Sequence, residues 1–152
     1  VDLPSQSNHI KDAPGTPSGY QLKLTEAMMA AIGVTPEYVD IPFGQLFAGL
    51  VAGKFDMMGI SATILPSRAL KGLFANFPVF YESIVVLLKA GSNVSSADQL
   101  NVKGTKLALL QGSSQEFSSH LLFPNATYSP FAGVADAVNE IATGRADAVV
   151  LS

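Results

Sequence analysis

Apolar residues follow two patterns along this chain, and together the patterns predict an α/β fold. The helical spacing of three and four residues occurs at 24–32, 46–51 and 134–141, and a glycine follows each stretch. We also expect shorter helices at 66–73 and 115–122. Short, largely apolar runs are typical of buried strands, and they occur at 35–41, 55–60, 83–88, 106–110 and 148–151. Strands that alternate with amphipathic helices indicate a largely parallel sheet with helices on its faces.

One sequence pattern occurs twice, at 52–61 and 143–152. Each copy includes the end of a predicted helix, which is followed by a glycine and a basic residue. After one variable residue come an aspartate and a run of four apolar or small residues, and a serine ends the pattern. Ligands of open α/β sheets bind beyond the carboxyl ends of the strands, so Ser61 and Ser152 fall at candidate binding edges. The alternative is that the two copies only reflect a common helix–turn–strand arrangement and have no role in common.

The composition excludes several classes of protein. The 152 residues include 9 basic and 12 acidic residues, a net charge of −3 and no cysteine. No basic stretch exists to bind a nucleic acid, and disulfides, zinc–thiolate sites and thiol nucleophiles are excluded. The sequence has no phosphate loop, nucleophile elbow or paired-histidine motif, so we expect no catalytic centre, metal or cofactor. His9 and His120 are expected to be surface or capping residues.

The ends and apolar runs of the chain bear on its location. The apolar run at 84–88 is far too short to insert across a membrane. The first residues lack the pattern of a signal peptide, so we expect that none existed or that it has been removed. The apolar run at 148–152 stops inside a predicted strand, so we expect that the chain is a fragment.

The segment 59–68 is the first candidate binding site. It leaves a predicted strand, presents hydroxyls at Ser61 and Thr63, and places Arg68 just inside a helix that Pro66 begins. The planar guanidinium of arginine pairs with a carboxylate through two hydrogen bonds. These residues predict a site for an anionic ligand; the alternative is a surface Arg68 that pairs with a nearby acid.

The turn at 111–116 is the second candidate. A glycine–serine turn that opens a helix presents backbone N–H groups and the positive end of the helix dipole to an anion. Ser113 and Glu116 have the spacing of a capping box, so a simply capped helix is an equal alternative to a site at Ser113 and Ser114. Phe43, which precedes a helix, is either a core residue or a wall of an apolar pocket.

The ordered set of motifs resembles the periplasmic solute-binding proteins of ABC transporters, in the branch that binds polar amino acids. The sequence Gly-Tyr-Gln-Leu-Lys-Leu is similar to the family's Gly-Phe-Asp-Val-Asp-Leu, and Thr-Ile-Leu-Pro-Ser-Arg is similar to its Ser/Thr-Ile-Thr-Pro-Glu-Arg. These two motifs and the other similar pieces lie at 19–24, 50–56, 63–68, 74–80, 100–104, 111–113 and 144–147.

The resemblance implies the two-lobed, type II periplasmic-binding-protein fold. Each lobe would be a mostly parallel sheet flanked by helices, crossing hinge strands would join the lobes, and the ligand would lie in the cleft between them. We expect lobe 1 at 1–83, the first hinge strand at 84–89 and a truncated lobe 2 at 90–152. A later return of the chain, absent here, would complete lobe 1.

The resemblance also implies roles for single residues. Arg68 would clamp the ligand carboxylate, the Ser61 carbonyl would accept from the ligand ammonium, and Phe43 would pack on the ligand. The family usually has an aspartate at the position of Ser152 that anchors the ammonium. A serine cannot supply that charge, so the ligand is either a carboxylate without an ammonium or an amine that is held differently. Supporting contacts are implied for Thr63, Ser113, Ser114 and, toward the ligand side chain, Asp2.

We therefore predict extracytoplasmic binding of a small polar carboxylate, such as an amino acid or an analogue, for delivery to an ABC importer. The partner would be a membrane permease, and the location would be the periplasm or, for a lipid-anchored lipoprotein, the cell exterior. The prediction is of a protein that is not an enzyme. The alternatives are a dehydratase-type enzyme on the same fold and the ligand-sensing domain of a receptor or kinase.

Overall fold

The computed structural model describes residues 10–12 and 16–152. The described residues form two compact units, of which the first ends at Val79 and the second spans Phe80–Ser152. The predicted α/β class is confirmed, because the described chain contains both helices and strands, and these alternate from β4 to β6 in the second unit. The sheet of the second unit is mixed, with two parallel pairings and one antiparallel pairing.

The described part of the first unit contains two paired strands followed by three helices. Strands β1 (Ile10–Asp12) and β2 (Thr16–Ser18) pair antiparallel, and helix α1 (Tyr20–Ala31) follows. A 3₁₀ turn (Phe43–Gln45) leads directly into α2 (Leu46–Val51), and α3 spans Pro66–Ala69. The helices predicted at 24–32, 46–51 and 66–73 are thus confirmed, the last in shorter form.

Glycine and proline set the helix boundaries of this unit as the sequence predicts. Gly33 and Gly53 follow α1 and α2 with φ angles of 74° and 68°, the left-handed conformation that favours glycine. Pro66 occupies the first turn of α3, where its missing N–H costs no helix hydrogen bond. The position of this helix start determines where the side chain of Arg68, two residues further on, projects from α3.

The strands predicted at 35–41 and 55–60 do not form in the described structure. A strand needs a neighbour whose backbone completes its ladder of hydrogen bonds. Around 59–61 the backbone is bound instead by side chains of α1: Gln21 accepts from Ser61 N–H, and Thr25 donates to the Gly59 carbonyl. Apolar composition alone predicted strands here, and it could not show that these segments pair with no strand among the described residues.

Helix α1 buries a different face from the one that the sequence suggests. Leu22 is 2% exposed and packs against Tyr38 and Ile60, whereas Met28 and Ile32 of the apolar stripe are 45% and 67% exposed. The buried face of α1 therefore lies in its first two turns, next to the segment that carries Ser61.

The second unit is a four-stranded sheet with helices on it. Its elements, in chain order, are β3 (Val85–Leu88), a 3₁₀ turn (Ala97–Leu100), β4 (Lys106–Leu110), α4 (Ser114–Leu122), β5 (Thr127–Phe131), α5 (Val134–Ala142) and β6 (Ala148–Leu151). The strand order is β3-β6-β4-β5. Strand β4 pairs parallel with β5 and β6, while β3 runs antiparallel to β6. The strands predicted at 83–88, 106–110 and 148–151 are confirmed, and β5 was not predicted.

The central strands β4 and β6 are buried on both faces. Leu107 and Val150 pack on one face with Leu100 and Phe123, and the neighbouring residues of each strand pack on the opposite face against α5. Side chains alternate across a strand, so a sheet covered on both faces has an almost continuous apolar sequence. This explains why the two strands were recognisable from sequence.

The hydroxyl of Ser119 is buried without a hydrogen bond inside this core. Ser119 is 0% exposed, and its Oγ has no partner within the described part of the chain. A buried hydroxyl without a partner costs about 1–3 kcal/mol. We expect Ser119→Ala to raise the free energy of unfolding by about 1 kcal/mol. Urea denaturation checks this, with Ser118→Ala on the more exposed part of α4 as the control for helix propensity; equal gains from both variants would contradict the explanation.

Candidate functional site

Arg68 is the centre of the candidate site in the first unit. It is 6% exposed, and its Nη1 donates to the Thr63 carbonyl at 2.9 Å. Pro66 begins the helix, so the chain between Thr63 and Arg68 turns tightly enough for this local contact. The burial argues against the alternative of an exposed surface arginine, since such a side chain would keep its guanidinium in water.

Two aromatic rings lie against the guanidinium. Cζ of Arg68 is 5.6 Å from the ring centroid of Phe43 and 5.0 Å from that of Phe47. Both distances are within the range of cation–π interactions. Phe43 was a candidate site residue from the sequence and Phe47 was not, although the two are four residues apart across the start of α2 and therefore share a helix face. That spacing was the available signal.

The backbone of the Ser61 segment is fixed by α1. Gln21 is 3% exposed, and its Oε1 accepts a hydrogen bond from Ser61 N–H at 2.8 Å. Thr25 Oγ1 donates to the Gly59 carbonyl at 3.5 Å, a weaker contact. In the sequence, Gln21 is notable only because the similar family motif has an aspartate at this position. Its role follows from a contact 40 residues away in sequence, which no local pattern reveals.

Removal of the Gln21 acceptor tests how firmly the Ser61 segment is held. Gln21→Met keeps the length of the side chain but leaves Ser61 N–H without its partner. We expect the free energy of unfolding to fall by about 1–3 kcal/mol, the usual cost of an unpaired buried donor. Gln45→Met, at an exposed position of the same unit, is the matched control. Equal stability of the two variants in chemical denaturation would show that the contact is not needed.

The predicted turn of the second unit is a capped helix start. Ser113 Oγ accepts from Glu116 N–H at 3.1 Å, and the Glu116 carboxylate accepts from Gly112 N–H at 2.6 Å. The neighbouring hydroxyl of Ser114, which is 6% exposed, donates to Glu82 Oε1 at 3.4 Å. An anion at this turn would compete with the Glu116 carboxylate and would lie close to that of Glu82. The observed bonds show the predicted helix cap, and they make Arg68 the stronger candidate anchor for an anion.

The remaining candidate residues from the sequence do not lie in the described part of the first unit. Ser152 follows β6, and the pairing of Val85 with Leu151 places it at the edge of the sheet where β3 begins. The His120 ring contacts that of Tyr128 in a tilted arrangement, with ring centroids 4.3 Å apart. His120 lies in the last turn of α4, consistent with the capping or surface position predicted for it. Asp2 and His9 lie outside the described residues.

The charged residues of the repeated pattern have local roles in the second unit. Arg145 pairs with Glu140 at 2.7 Å, and the hydrogen bond from Arg145 lowers the pKa of the Glu140 carboxyl. Asp147 Oδ2 accepts from Lys106 N–H at 2.8 Å and so connects the starts of β4 and β6. Both charges thus support the fold at the end of the sheet opposite to Ser152.

Within residues 10–12 and 16–152, no group of three or more histidine or carboxylate side chains is placed to hold a metal ion. No helix of that same part combines the length and apolar character that a membrane span requires.

Solved structures share the fold over 99% of this chain and define the class of protein. The ancestral amino acid-binding protein AncCDT-1, described as a precursor of cyclohexadienyl dehydratase, matches with a TM-score of 0.91 and 29% identity. A protein from Wolinella succinogenes, described as a binding component of an ABC transporter complexed with lysine, matches with a TM-score of 0.83 and 29% identity. The chain covers 66% and 65% of those two chains. Mixed α/β binding proteins of the type II periplasmic fold are therefore the structural class.

The family follows from the sequence. The family model of bacterial extracellular solute-binding proteins, family 3, matches residues 2–142, and this chain belongs to that family. A relative from Sinorhizobium fredii, named a probable amino-acid ABC transporter periplasmic-binding protein, is 31% identical over 142 residues. That match covers 90% of this chain and 47% of the relative. The chain spans about half the length of the curated amino-acid-binding relatives that it matches.

Proposed function

We propose that this chain is the ligand-binding part of an extracytoplasmic protein that captures a small polar carboxylate, an amino acid or an analogue, for an ABC importer. The observation that carries the proposal is the Arg68 guanidinium, which is 6% exposed and lies against Phe43, Phe47 and the Thr63 carbonyl. The family and the names of the relatives support a periplasmic location and a membrane permease as the partner.

The chemistry of the first unit suits an anion. A guanidinium shielded from bulk water attracts a carboxylate more strongly than an exposed one does, because the local dielectric constant is lower. Its planar, forked donors fit the two carboxylate oxygens. We propose that the Thr63 hydroxyl and the Phe43 ring contact the same ligand beside Arg68.

The same unit also offers an acceptor for a ligand ammonium. The carbonyl of Ser61 belongs to the segment that Gln21 holds at 2.8 Å, so its position is set by the fold. We propose that this carbonyl accepts from an ammonium group and so permits an α-amino acid despite the serine at 152. The relative from Wolinella succinogenes, described as complexed with lysine, supports an amino acid as the ligand. Contributions from Ser113, Ser114, Ser152 and Asp2 belong to this proposal as well.

The proposed organisation keeps lobes at 1–83 and 90–152 with a hinge strand at 84–89. Strand β3 (Val85–Leu88) supports a strand at that place, and it pairs with β6 within the second unit. The compact units divide between Val79 and Phe80, a few residues before the proposed boundary.

A thermal-shift screen of the complete protein tests the function. The panel contains the proteinogenic L-amino acids, their α-carboxamides and the matching acids without an α-amine. A ligand that binds only the native state stabilises it by about 4 kcal/mol at a concentration 1,000 times its Kd. We expect at least one amino acid to raise the melting temperature and its α-carboxamide to fail. The proposal is wrong if no carboxylate in the panel stabilises the protein.

An enzyme on the same fold is the second candidate, because AncCDT-1 is described as a precursor of a dehydratase. Such an enzyme needs a general acid or base beside its substrate. Incubation of the complete protein with cyclic carboxylic acids, followed by a search for dehydrated product, separates the two candidates. A binding protein returns each acid unchanged.

A further inference from the structure

Phe47 makes none of the ligand contacts proposed above, yet its ring is closer to the Arg68 guanidinium than that of Phe43. The distances from Cζ are 5.0 Å for Phe47 and 5.6 Å for Phe43. Phe47 lies in the first turn of α2 and is partly buried, while Arg68 is 6% exposed. The ring therefore meets the cation where little water reaches it.

An aromatic ring attracts a cation through the negative potential of its face, and the attraction grows when both groups lose water. Phenylalanine has no formal charge, so it holds the guanidinium without neutralising it. The N–H donors of arginine lie in the guanidinium plane, and Nη1 donates to the Thr63 carbonyl at 2.9 Å. Phe47 and Thr63 thus orient one side chain through two different kinds of contact.

We infer that Phe47 is a positioning residue that holds the guanidinium of Arg68 in its anion-binding orientation and shields it from water. The inference rests on the proposed function, in which Arg68 binds the ligand carboxylate. A guanidinium that is ordered before binding loses less conformational freedom when the ligand arrives. Less water around it also strengthens the attraction to a carboxylate. Phe47 therefore raises affinity through Arg68, without contact to the ligand.

Three variants distinguish the effect of the aromatic face of Phe47 on ligand affinity from the effect of apolar packing. Phe47→Leu removes the face but keeps an apolar side chain, and Phe47→Tyr keeps the face. Phe55→Leu is the matched control, because the Phe55 ring packs so tightly on α2 that a Cβ at Gly49 would lie 2.7 Å from its Cε1. Arg68→Ala reports on the proposed function itself.

Titration calorimetry of the complete protein measures binding of L-lysine, L-arginine and L-glutamine and of their α-carboxamides. We expect Phe47→Leu to weaken binding of the carboxylates about five- to thirtyfold, while Phe47→Tyr and Phe55→Leu stay within about twofold of the natural protein. The preference for the carboxylate over the carboxamide should fall only in Phe47→Leu and Arg68→Ala.

If Arg68→Ala weakens binding and Phe47→Leu does not, the inference is wrong and the proposed function stands. If Arg68→Ala has no effect, or none of the three amino acids binds, the proposal that Arg68 binds their carboxylates fails, and the inference fails with it.

Nuclear magnetic resonance of the complete protein without ligand gives an independent result. The Nε–H signal of Arg68, assigned by its loss in Arg68→Lys, should move toward that of a free arginine in Phe47→Leu and exchange faster with water. Phe55→Leu should change neither property. If Phe47→Leu does not fold, stepwise fluorination of the Phe47 ring weakens its negative face at nearly constant volume. A stepwise loss of affinity supports the inference, and a flat series overturns it.

Discussion

Replacement of Arg68 by alanine should weaken binding of the ligand carboxylate about tenfold or more. The variant removes the guanidinium from a place that is 6% exposed, so the carboxylate would lose its charged partner in a region with little water to replace it. The expected loss is larger than that of an exposed ion pair, for which about 0–1 kcal/mol is typical. Titration calorimetry with the best amino acid from the thermal-shift screen measures the change.

Arg145→Ala is the matched control for this prediction. Arg145 carries the same charge, but its side chain is 60% exposed and bound to Glu140 in the second unit. We expect its removal to leave the affinity unchanged. Unaltered binding in Arg68→Ala, with a folded protein by circular dichroism, would remove Arg68 from the site. An equal loss in both variants would indicate a general effect of net charge instead.

Arg68 could be selected from sequence because its signals are local. Pro66 marks the helix start, and the hydroxyl residues and the arginine follow each other within a few positions. The amide of Gln21 was missed because its contact joins segments 40 residues apart in the chain, whereas Phe47 was missed although its spacing from Phe43 was a local signal. Hydrophobic periodicity indicates which residues are buried. It does not indicate which backbone group a buried polar side chain binds by a hydrogen bond.

The fold shows the same division between local and distant signals. The helices were predicted because spacing and terminal glycines are encoded within each segment. Strand β5 was missed because Pro130 lacks an N–H donor and argues against a strand. Pro130 is tolerated because β5 is an edge strand of the described sheet and pairs there with β4 on one side.

A substitution in the core of the second unit should have the other large effect, here on stability. Leu107 on β4 is 0% exposed and packs with Leu100, Phe123 and Val150. Leu107→Ala removes a fully buried side chain and leaves a cavity that its neighbours fill only partly. We expect the free energy of unfolding to fall by about 3 kcal/mol, within the usual range for buried leucines. Hydrogen exchange of the β4 and β6 amides in the complete protein measures the loss within this unit.

Leu121→Ala shows whether that loss comes from burial rather than from the chemical change alone. Leu121 is 69% exposed on α4, so the same substitution there removes little buried surface and leaves no cavity. We expect a change within about 0.5 kcal/mol at this position. Exchange rates that rise equally in both variants would mean that β4 is not the centre of the core. A rise confined to Leu107→Ala would establish that the sheet beneath the Ser113 turn depends on this side chain.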